Sequence, residues 1–422
     1  LCIKHIDQGF QNNKSDMWNT LNAIDGSSNT GNNEPDANQF YEYFRDASKP
    51  PTESYFNKDH EASILNFLNK YDNGEVTSLP ENSLQYDIIN SNFTVDEVEA
   101  AIHSLKNNKS PGVDGLPSEF IKYCKDSLTS ELTEAYNYII ERREFPETWA
   151  EGLRSALFKN GTKNIVGNYR GLTILSIFAK VFEILVHNRL SFVNEAFEME
   201  DHFNGGFKKG SMTADNMFIL NGLIQRQLTL GKPLYVCYVD FSKAFDLVNR
   251  NILFYKLIQS GWHGKVIDTM RNLYTKTYFR VKRNGMLSPP ILNMQGVNQG
   301  GNASGLMFRK YLADLSDYLY KEVGVCVGDI IIAHILWADD LILFSDTVDG
   351  LQKQIDGLYK FCADNMMIVN EIKTKIMTFG DNNCINVTFN GKKLDCVTHY
   401  KYLGNVVKAI YKCNEDAFGQ NY

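Results

Sequence analysis

The sequence is poor in the features that would assign it to several protein classes. Its eight cysteines, at 2, 124, 237, 326, 362, 384, 396 and 413, form no CxxC pair, and no Cys/His cluster has zinc-ligand spacing. Scattered cysteines of this kind suggest a reducing compartment and inert thiols. No apolar run approaches the roughly 18 residues of a membrane span. The opening Leu-Cys-Ile-Lys-His is not a signal peptide, and with no starting Met the chain reads as a piece of something longer. Positive charge is also short. The net charge is −7, which argues against a simple nucleic-acid binder. The deficit is local, because residues 1–80 hold six Lys and Arg against twelve Asp and Glu. No fixed-period repeat is visible.

What remains is an ordinary globular composition over 422 residues, 43% hydrophobic and 12% aromatic, enough for a large enzyme body. Residues 11–37 read as linker, with a helix expected over 54–72. Thr94-Val95-Asp96-Glu97 is a capping box, and further helical patterns cover roughly 127–143, 174–197, 211–229, 246–259, 264–275, 303–322 and 347–366. Strands are expected at Leu234 to Val239, Tyr278 to Leu287 around Asn284-Gly285, Ile330 to Phe344, and Asn386 to Leu394 around Asn390-Gly391. The fold class is α+β, an antiparallel sheet with long helices around it.

Two segments carry chemistry. In Tyr238-Val239-Asp240-Phe241-Ser242-Lys243-Ala244-Phe245-Asp246, an apolar strand delivers Asp240 to its end. The bland alternative is a helix N-cap. In Trp337-Ala338-Asp339-Asp340, two acids sit between strands apolar enough to be buried. The alternative is a polar turn. Together the two segments say more. Adjacent carboxylates beside a buried sheet repel unless a cation is present, and Mg²⁺ takes one or two carboxylates plus substrate phosphates. Carboxylates on neighbouring strands could bridge two metals roughly 3.5–4 Å apart for in-line attack on phosphorus. Arg271, Lys276, Arg280, Lys282 and Arg283, interleaved with Tyr274, Tyr278 and Phe279, suit a nucleic-acid backbone or an exposed charged hairpin.

From about Lys106 to Gly404 the chain resembles non-LTR (LINE-type, jockey/RTE-like) retrotransposon reverse transcriptases. A preceding block and seven short motifs occur in order. Lys106 to Gly115 resembles the block before the fingers. Asn168-Tyr169-Arg170-Gly171-Leu172 with Asn188-Arg189-Leu190, then Gly206-Phe207-Lys208-Lys209-Gly210-Ser211, resemble the first two finger motifs. Asp240 to Asp246, Gly296-Val297-Asn298-Gln299-Gly300 and Trp337-Ala338-Asp339-Asp340 resemble the third, fourth and fifth. Asn370 with Lys373-Thr374-Lys375, and Tyr402-Leu403-Gly404 near the primer grip, resemble the last two.

The resemblance implies a right-hand polymerase with an antiparallel palm sheet, helical fingers and a thumb largely missing. It divides the chain into an acidic linker or N-terminal extension (1–91), fingers and palm (92–380), and a primer-grip region with a truncated start of the thumb (381–422). It implies an RNA-directed DNA polymerase that adds dNTPs to a DNA 3′-hydroxyl on an RNA template. Two Mg²⁺ ions, with Mn²⁺ as the alternative, would sit on Asp240, Asp339 and the supporting Asp340. Phe245 falls at the steric gate against the sugar 2′-position. Phe241, Gln299, Arg170, Lys208, Lys163 and Lys373 fall around the nucleotide, and Tyr402 and Gly404 near the nucleic acid. The partners implied are RNA template, DNA primer and dNTPs, without a membrane. The setting implied is intracellular: the nucleus, after a cytoplasmic ribonucleoprotein stage. The rival readings are a degenerate remnant that binds RNA only and a group II intron-type reverse transcriptase. The chain departs from the family pattern at Asn204 (usually Gln), Gly205 (usually aromatic), Gly301-Asn302-Ala303-Ser304 (usually Cys-Pro-Leu-Ser) and Trp337 (usually Tyr or Phe). These departures bear on the geometry of the nucleotide pocket, since none removes a metal ligand.

Overall fold

The run Leu234-Tyr235-Val236-Cys237-Tyr238-Val239 is apolar at every position because both faces of its strand, β3 (Leu234–Val239), are covered. Tyr235, Cys237 and Val239 point into the largest core, and Leu234, Val236 and Tyr238 into a second one. The computed structural model describes residues 34–76, 83–197 and 204–410, apart from 284, 299 and 382. Gln299, Asn284, residues 1–33 and the C-terminal 411–422 lie outside the described residues.

Eleven helices of seven or more residues are labelled here: α1 (Ala37–Ala47), α2 (Lys58–Asp72), α3 (Leu84–Asn90), α4 (Val95–Ser104), α5 (Lys125–Arg142), α6 (Ile177–Ala196), α7 (Thr213–Thr229), α8 (Arg250–Gln259), α9 (Lys265–Thr275), α10 (Ser304–Leu312) and α11 (Val348–Asp364). The expected capping box forms, with Thr94 accepting from the Glu97 N–H and Glu97 accepting from the Thr94 N–H. The helix expected over 303–322 is shorter, ending at Leu312.

Two five-stranded sheets organise these helices. The first joins β1 (Glu151–Phe158), β2 (Tyr169–Leu175), β4 (Tyr278–Arg283), β5 (Met286–Leu287) and β6 (Ile291–Leu292) in the order β2-β1-β4-β5, with β6 also on β4. The second has the order β14-β11-β3-β10-β9, with β9 (His334–Trp337), β10 (Asp340–Ser345), β11 (Lys375–Phe379) and β14 (Asp395–Cys396). Three two-stranded ribbons complete the count: β7 (Val325–Val327) with β8 (Ile330–Ile332), β12 (Thr388–Phe389) with β13 (Lys392–Lys393), and β15 (His399–Tyr402) with β16 (Asn405–Lys408).

Two expectations are corrected and one is extended. The region before residue 232 is not purely helical, since β1 and β2 pair there antiparallel and β1 runs parallel to β4. Arg154 hides this strand in the sequence. It is buried with its guanidinium 3.6 Å from the Phe279 ring centroid, donating to Thr173 Oγ1. In the N-terminal extension the helix expected over 54–72 forms as α2, and α1 is an addition that starts where the expected linker ends. Phe40 and Phe44 of α1 bury against Tyr169, Phe279, Val281 and Ile291 on the first sheet, and Ile64 and Leu68 of α2 enter the main core. Finally, Cys384 and Cys396 form a disulfide with Cα atoms 5.9 Å apart, because the β12–β13 hairpin folds the chain back between them.

A second buried arginine ties the helices together. Arg189 on α6 donates twice to Glu97 (2.7 and 2.8 Å) and to the carbonyls of Ile89, Ser91 and Asn92, which uses all five of its N–H groups. No helix among the described residues is long and apolar enough to cross a membrane.

Candidate active site

The antiparallel ladder between β3 and β10 sets Leu341 opposite Val239, so one further step brings Asp240 opposite Asp340. Asp339 lies in the two-residue turn between Trp337 and Asp340, which are themselves paired. The three acids therefore meet at one end of the second sheet. The residue across from Asp240 is Asp340, with Asp339 one position further into the turn.

Beyond β3 the backbone stays fixed. The Asp240 N–H donates to Thr374 Oγ1 (3.2 Å), the Asn370 N–H donates to the Asp240 carbonyl (2.7 Å), and the Ser242 N–H donates to the Ile368 carbonyl (2.8 Å). Phe241 forms a bridge with Val369, and its ring is buried, so this side chain faces the core and not a nucleotide.

The cluster is short of positive charge. Burial raises the Asp240 carboxyl, Lys373 and Lys159 oppose that rise, and Asp339 adds to it. The Lys373 Nζ stands 4.0 Å from Asp240 Oδ2. Burial, then the negative charge of Asp339 and Asp240, pushes the Asp340 carboxyl up to about 6. An oxygen-only donor set under mutual repulsion fits a hard divalent cation. Among the described residues, no three His, Cys, Asp or Glu side chains form a ready-made cage for such an ion.

Phe245 is half-buried and stacked on Phe308 (centroids 4.2 Å apart, 22° between planes), with Phe207 edge-on at 5.7 Å. The Val297 N–H donates to the Phe245 carbonyl (2.9 Å), which brings the turn that starts at Gly296 alongside. Glu183 supports that turn from α6 by accepting the Asn302 N–H (3.1 Å), and burial pushes its carboxyl up to about 7.

The remaining candidates divide. Arg170 is exposed on β2; burial raises the Asp246 carboxyl, and Arg154, Lys243 and Arg170 oppose that rise. Lys208 lines a cavity of about 560 Å³ with Phe192, Phe207, Lys209 and Arg309, and none of the three acids lines it. Lys163 lies 3.6 Å from Glu34. Arg271 pairs with Asp72 (2.5 Å), Arg280 with Glu151 (2.5 Å) and Arg283 with Glu34 (2.6 Å), so three of the five proposed backbone-binding cations each have a carboxylate partner at the surface. Lys282 is exposed and Lys276 half-buried. Tyr402 is buried, accepts from Asn216 Nδ2 (3.1 Å) and lies against Tyr238, so it anchors the β15–β16 ribbon to the sheet. Gly404, at φ +85°, is the second residue of the ribbon's two-residue turn, where a glycine is needed.

Sequence reasoning missed Lys159, whose charge reaches both Asp240 and Asp340 from the end of β1. Nothing in Phe158-Lys159-Asn160 marks it. It also treated Gly205 and Trp337 as separate departures. In the structure they touch, since a Cβ on Gly205 would lie 2.9 Å from the Trp337 ring. The larger indole occupies the space that a side chain at 205 would need.

Residues 158–407 match the family described as reverse transcriptase (RNA-dependent DNA polymerase). The chain is 25% identical over 323 residues to the RNA-directed DNA polymerase from mobile element jockey of Drosophila funebris, covering 74% of this chain and 35% of that protein. It is 25% identical to the probable RNA-directed DNA polymerase from transposon BS of Drosophila melanogaster, over 77% of this chain and 36% of that protein. It is also 25% identical to the transposon TX1 uncharacterized 149 kDa protein of Xenopus laevis, over 67% of this chain and 22% of that protein. The chain thus spans little more than a third of these relatives at most.

Proposed function

We propose, from the premise that this chain belongs to the reverse transcriptase (RNA-dependent DNA polymerase) family, that it is the polymerase core of a non-LTR retrotransposon protein. In this reading it adds deoxynucleotides to a DNA 3′-hydroxyl under the direction of an RNA template. The observation that carries the proposal is the meeting of Asp240, Asp339 and Asp340 at one sheet end, with too little positive charge to balance them.

The second sheet is then the palm, and the first sheet with its helices forms the fingers. Asp240 and Asp339 would hold two Mg²⁺ ions, or Mn²⁺, with Asp340 as the supporting carboxylate. Bound there, such ions lower the pKa of an attacking 3′-hydroxyl and neutralise charge on departing pyrophosphate. The new bond would join the 3′-oxygen to the α-phosphorus as the bond to pyrophosphate breaks, with the hydroxyl proton passing to solvent. Lys159, Lys373 and Arg170 line the approach as partners for the triphosphate, Arg170 through its planar fork. The Phe245 ring, backed by Phe308, bars a ribose 2′-hydroxyl, the group that separates RNA from DNA precursors. The setting we propose is the nucleus, reached as a cytoplasmic ribonucleoprotein.

Primer extension on an RNA template with a DNA primer, dNTPs and Mg²⁺ tests this. Asp240→Asn and Asp339→Asn should each abolish product while leaving thermal stability and RNA binding near wild type. Substantial extension by either variant, or none by the wild type, refutes the assignment.

A further inference from the structure

The turn that carries Asp339 does not hold its own shape. Its first residue, Ala338, has φ +57°, a left-handed conformation that costs an L-residue roughly 1–2 kcal/mol. Such a residue persists only where its surroundings over-determine it. Here those surroundings are three residues from elsewhere in the chain, Asn204, Gly205 and Gly206.

Asn204 is fully buried. Its Oδ1 accepts the N–H of Ala338 (3.0 Å) and the N–H of Gly206 (2.9 Å). Both partners are donors, so the oxygen and not the amide nitrogen must face them. Among the described residues the Nδ2 has no hydrogen-bond partner, so the acceptor oxygen is the working part of this side chain. The Gly205 N–H donates to the Leu336 carbonyl (3.0 Å), and Asn204 forms a parallel bridge with Leu336. The 204–206 segment therefore grips the last residues of β9 and the turn together. Gly206 permits the approach, because a Cβ there would sit 2.2 Å from the Ala338 nitrogen.

We propose that Asn204, through its side-chain oxygen and with Gly206 as the close-approach residue, is the positioning residue that fixes the Ala338–Asp339 turn and so sets where the Asp339 and Asp340 carboxylates stand. This rests on the polymerase reading above. A residue that merely filled core volume would need no acceptor, and an apolar side chain would serve it better.

The test uses the full chain and two variants, Asn204→Ala, which removes the acceptor, and Gly206→Ala, which disturbs the same contact from its other side. Hydrogen exchange read by mass spectrometry on the peptide spanning 334–341 reports on the Ala338 amide without any need for activity. In Asn204→Ala, exchange in that peptide should quicken about tenfold, the worth of one net hydrogen bond, while β3 peptides hold. In extension assays both variants should lose about 10- to 100-fold in kcat and need more Mg²⁺ for half-maximal rate, with KM for dNTP little changed. Unchanged exchange in Asn204→Ala overturns the proposal whether or not the chain is active. An active wild type whose two variants keep their kcat and Mg²⁺ requirement overturns it too, and leaves the polymerase reading standing. A wild type without product, but with quickened exchange in Asn204→Ala, supports the clamp and refutes the polymerase reading alone.

Discussion

The three carboxylates repel one another, and in the absence of a cation the fold carries that cost. Replacing Asp340 with Asn should therefore stabilise the metal-free protein at neutral pH while destroying its activity. The carboxyl is pushed from 3.8 up to about 6, by burial first and then by Asp339 and Asp240. A folded-state pKa above the unfolded one means that the native state keeps a proton which the unfolded chain has released. The destabilisation is thus fully present above about pH 6 and fades as pH falls towards 4. A shift of about two units corresponds to roughly 3 kcal/mol in full. Asp340 is exposed to solvent at the start of β10, which screens the interaction, so about 1 kcal/mol at most is expected. For 422 residues unfolding with roughly 2 cal/mol/K each, that is about 1 °C in Tm. Calorimetry in EDTA at pH 7.5 and at pH 4.5 should show the variant ahead at the higher pH and level at the lower. Millimolar Mg²⁺ at pH 7.5 should reverse the order, since only the wild type keeps all three ligands. A variant less stable than wild type in EDTA at pH 7.5, or a difference that ignores pH, refutes the reasoning.

Three further outcomes follow from the geometry. Phe245→Val should raise ribonucleotide use relative to deoxynucleotide about tenfold with little cost in dNTP turnover; unchanged selectivity would make Phe245 a plain member of its three-ring stack. Lys159→Ala should raise KM for dNTP about fivefold, the worth of one charge-assisted phosphate contact of about 1 kcal/mol. An unaltered KM would leave Lys159 a solvated charge. Arg189→Met should cost roughly 3–5 kcal/mol, because Glu97 and three backbone carbonyls lose their donors; a melting temperature equal to wild type would show that the five bonds carry no net stability.

The parts of the fold written in local pattern were legible in advance. β3 runs over the six residues expected, and the Asn390-Gly391 turn joins β12 to β13 as its dipeptide requires. The acids were found because an apolar strand ending in Asp, and an Asp pair between two apolar strands, are odd enough to need a reason. What escaped depends on contacts between distant segments. Arg154 looks like a surface residue until Phe279 lies over it, 125 positions later in the chain. Arg271, Arg280 and Arg283 look like a basic surface until Asp72, Glu151 and Glu34 arrive to neutralise them. Asn204 read as a departure from a motif, when its oxygen reaches a turn 134 residues away. Gln299 lies outside the described residues, and its role under the nucleotide stays an expectation from the motif.

The helix at Ala37–Ala47 bears on where this enzyme can be cut. Phe40 and Phe44 close the hydrophobic underside of the first sheet, and Glu34 pairs with both Lys163 and Arg283. A shortened chain that began at residue 92 would leave Phe279, Val281 and Ile291 facing water as a sticky patch. The family match begins only at residue 158, so a trim guided by sequence similarity would remove the lid from its own box. Anyone transplanting this catalytic body into another host protein would need to carry everything from Glu34 onward as one piece of luggage.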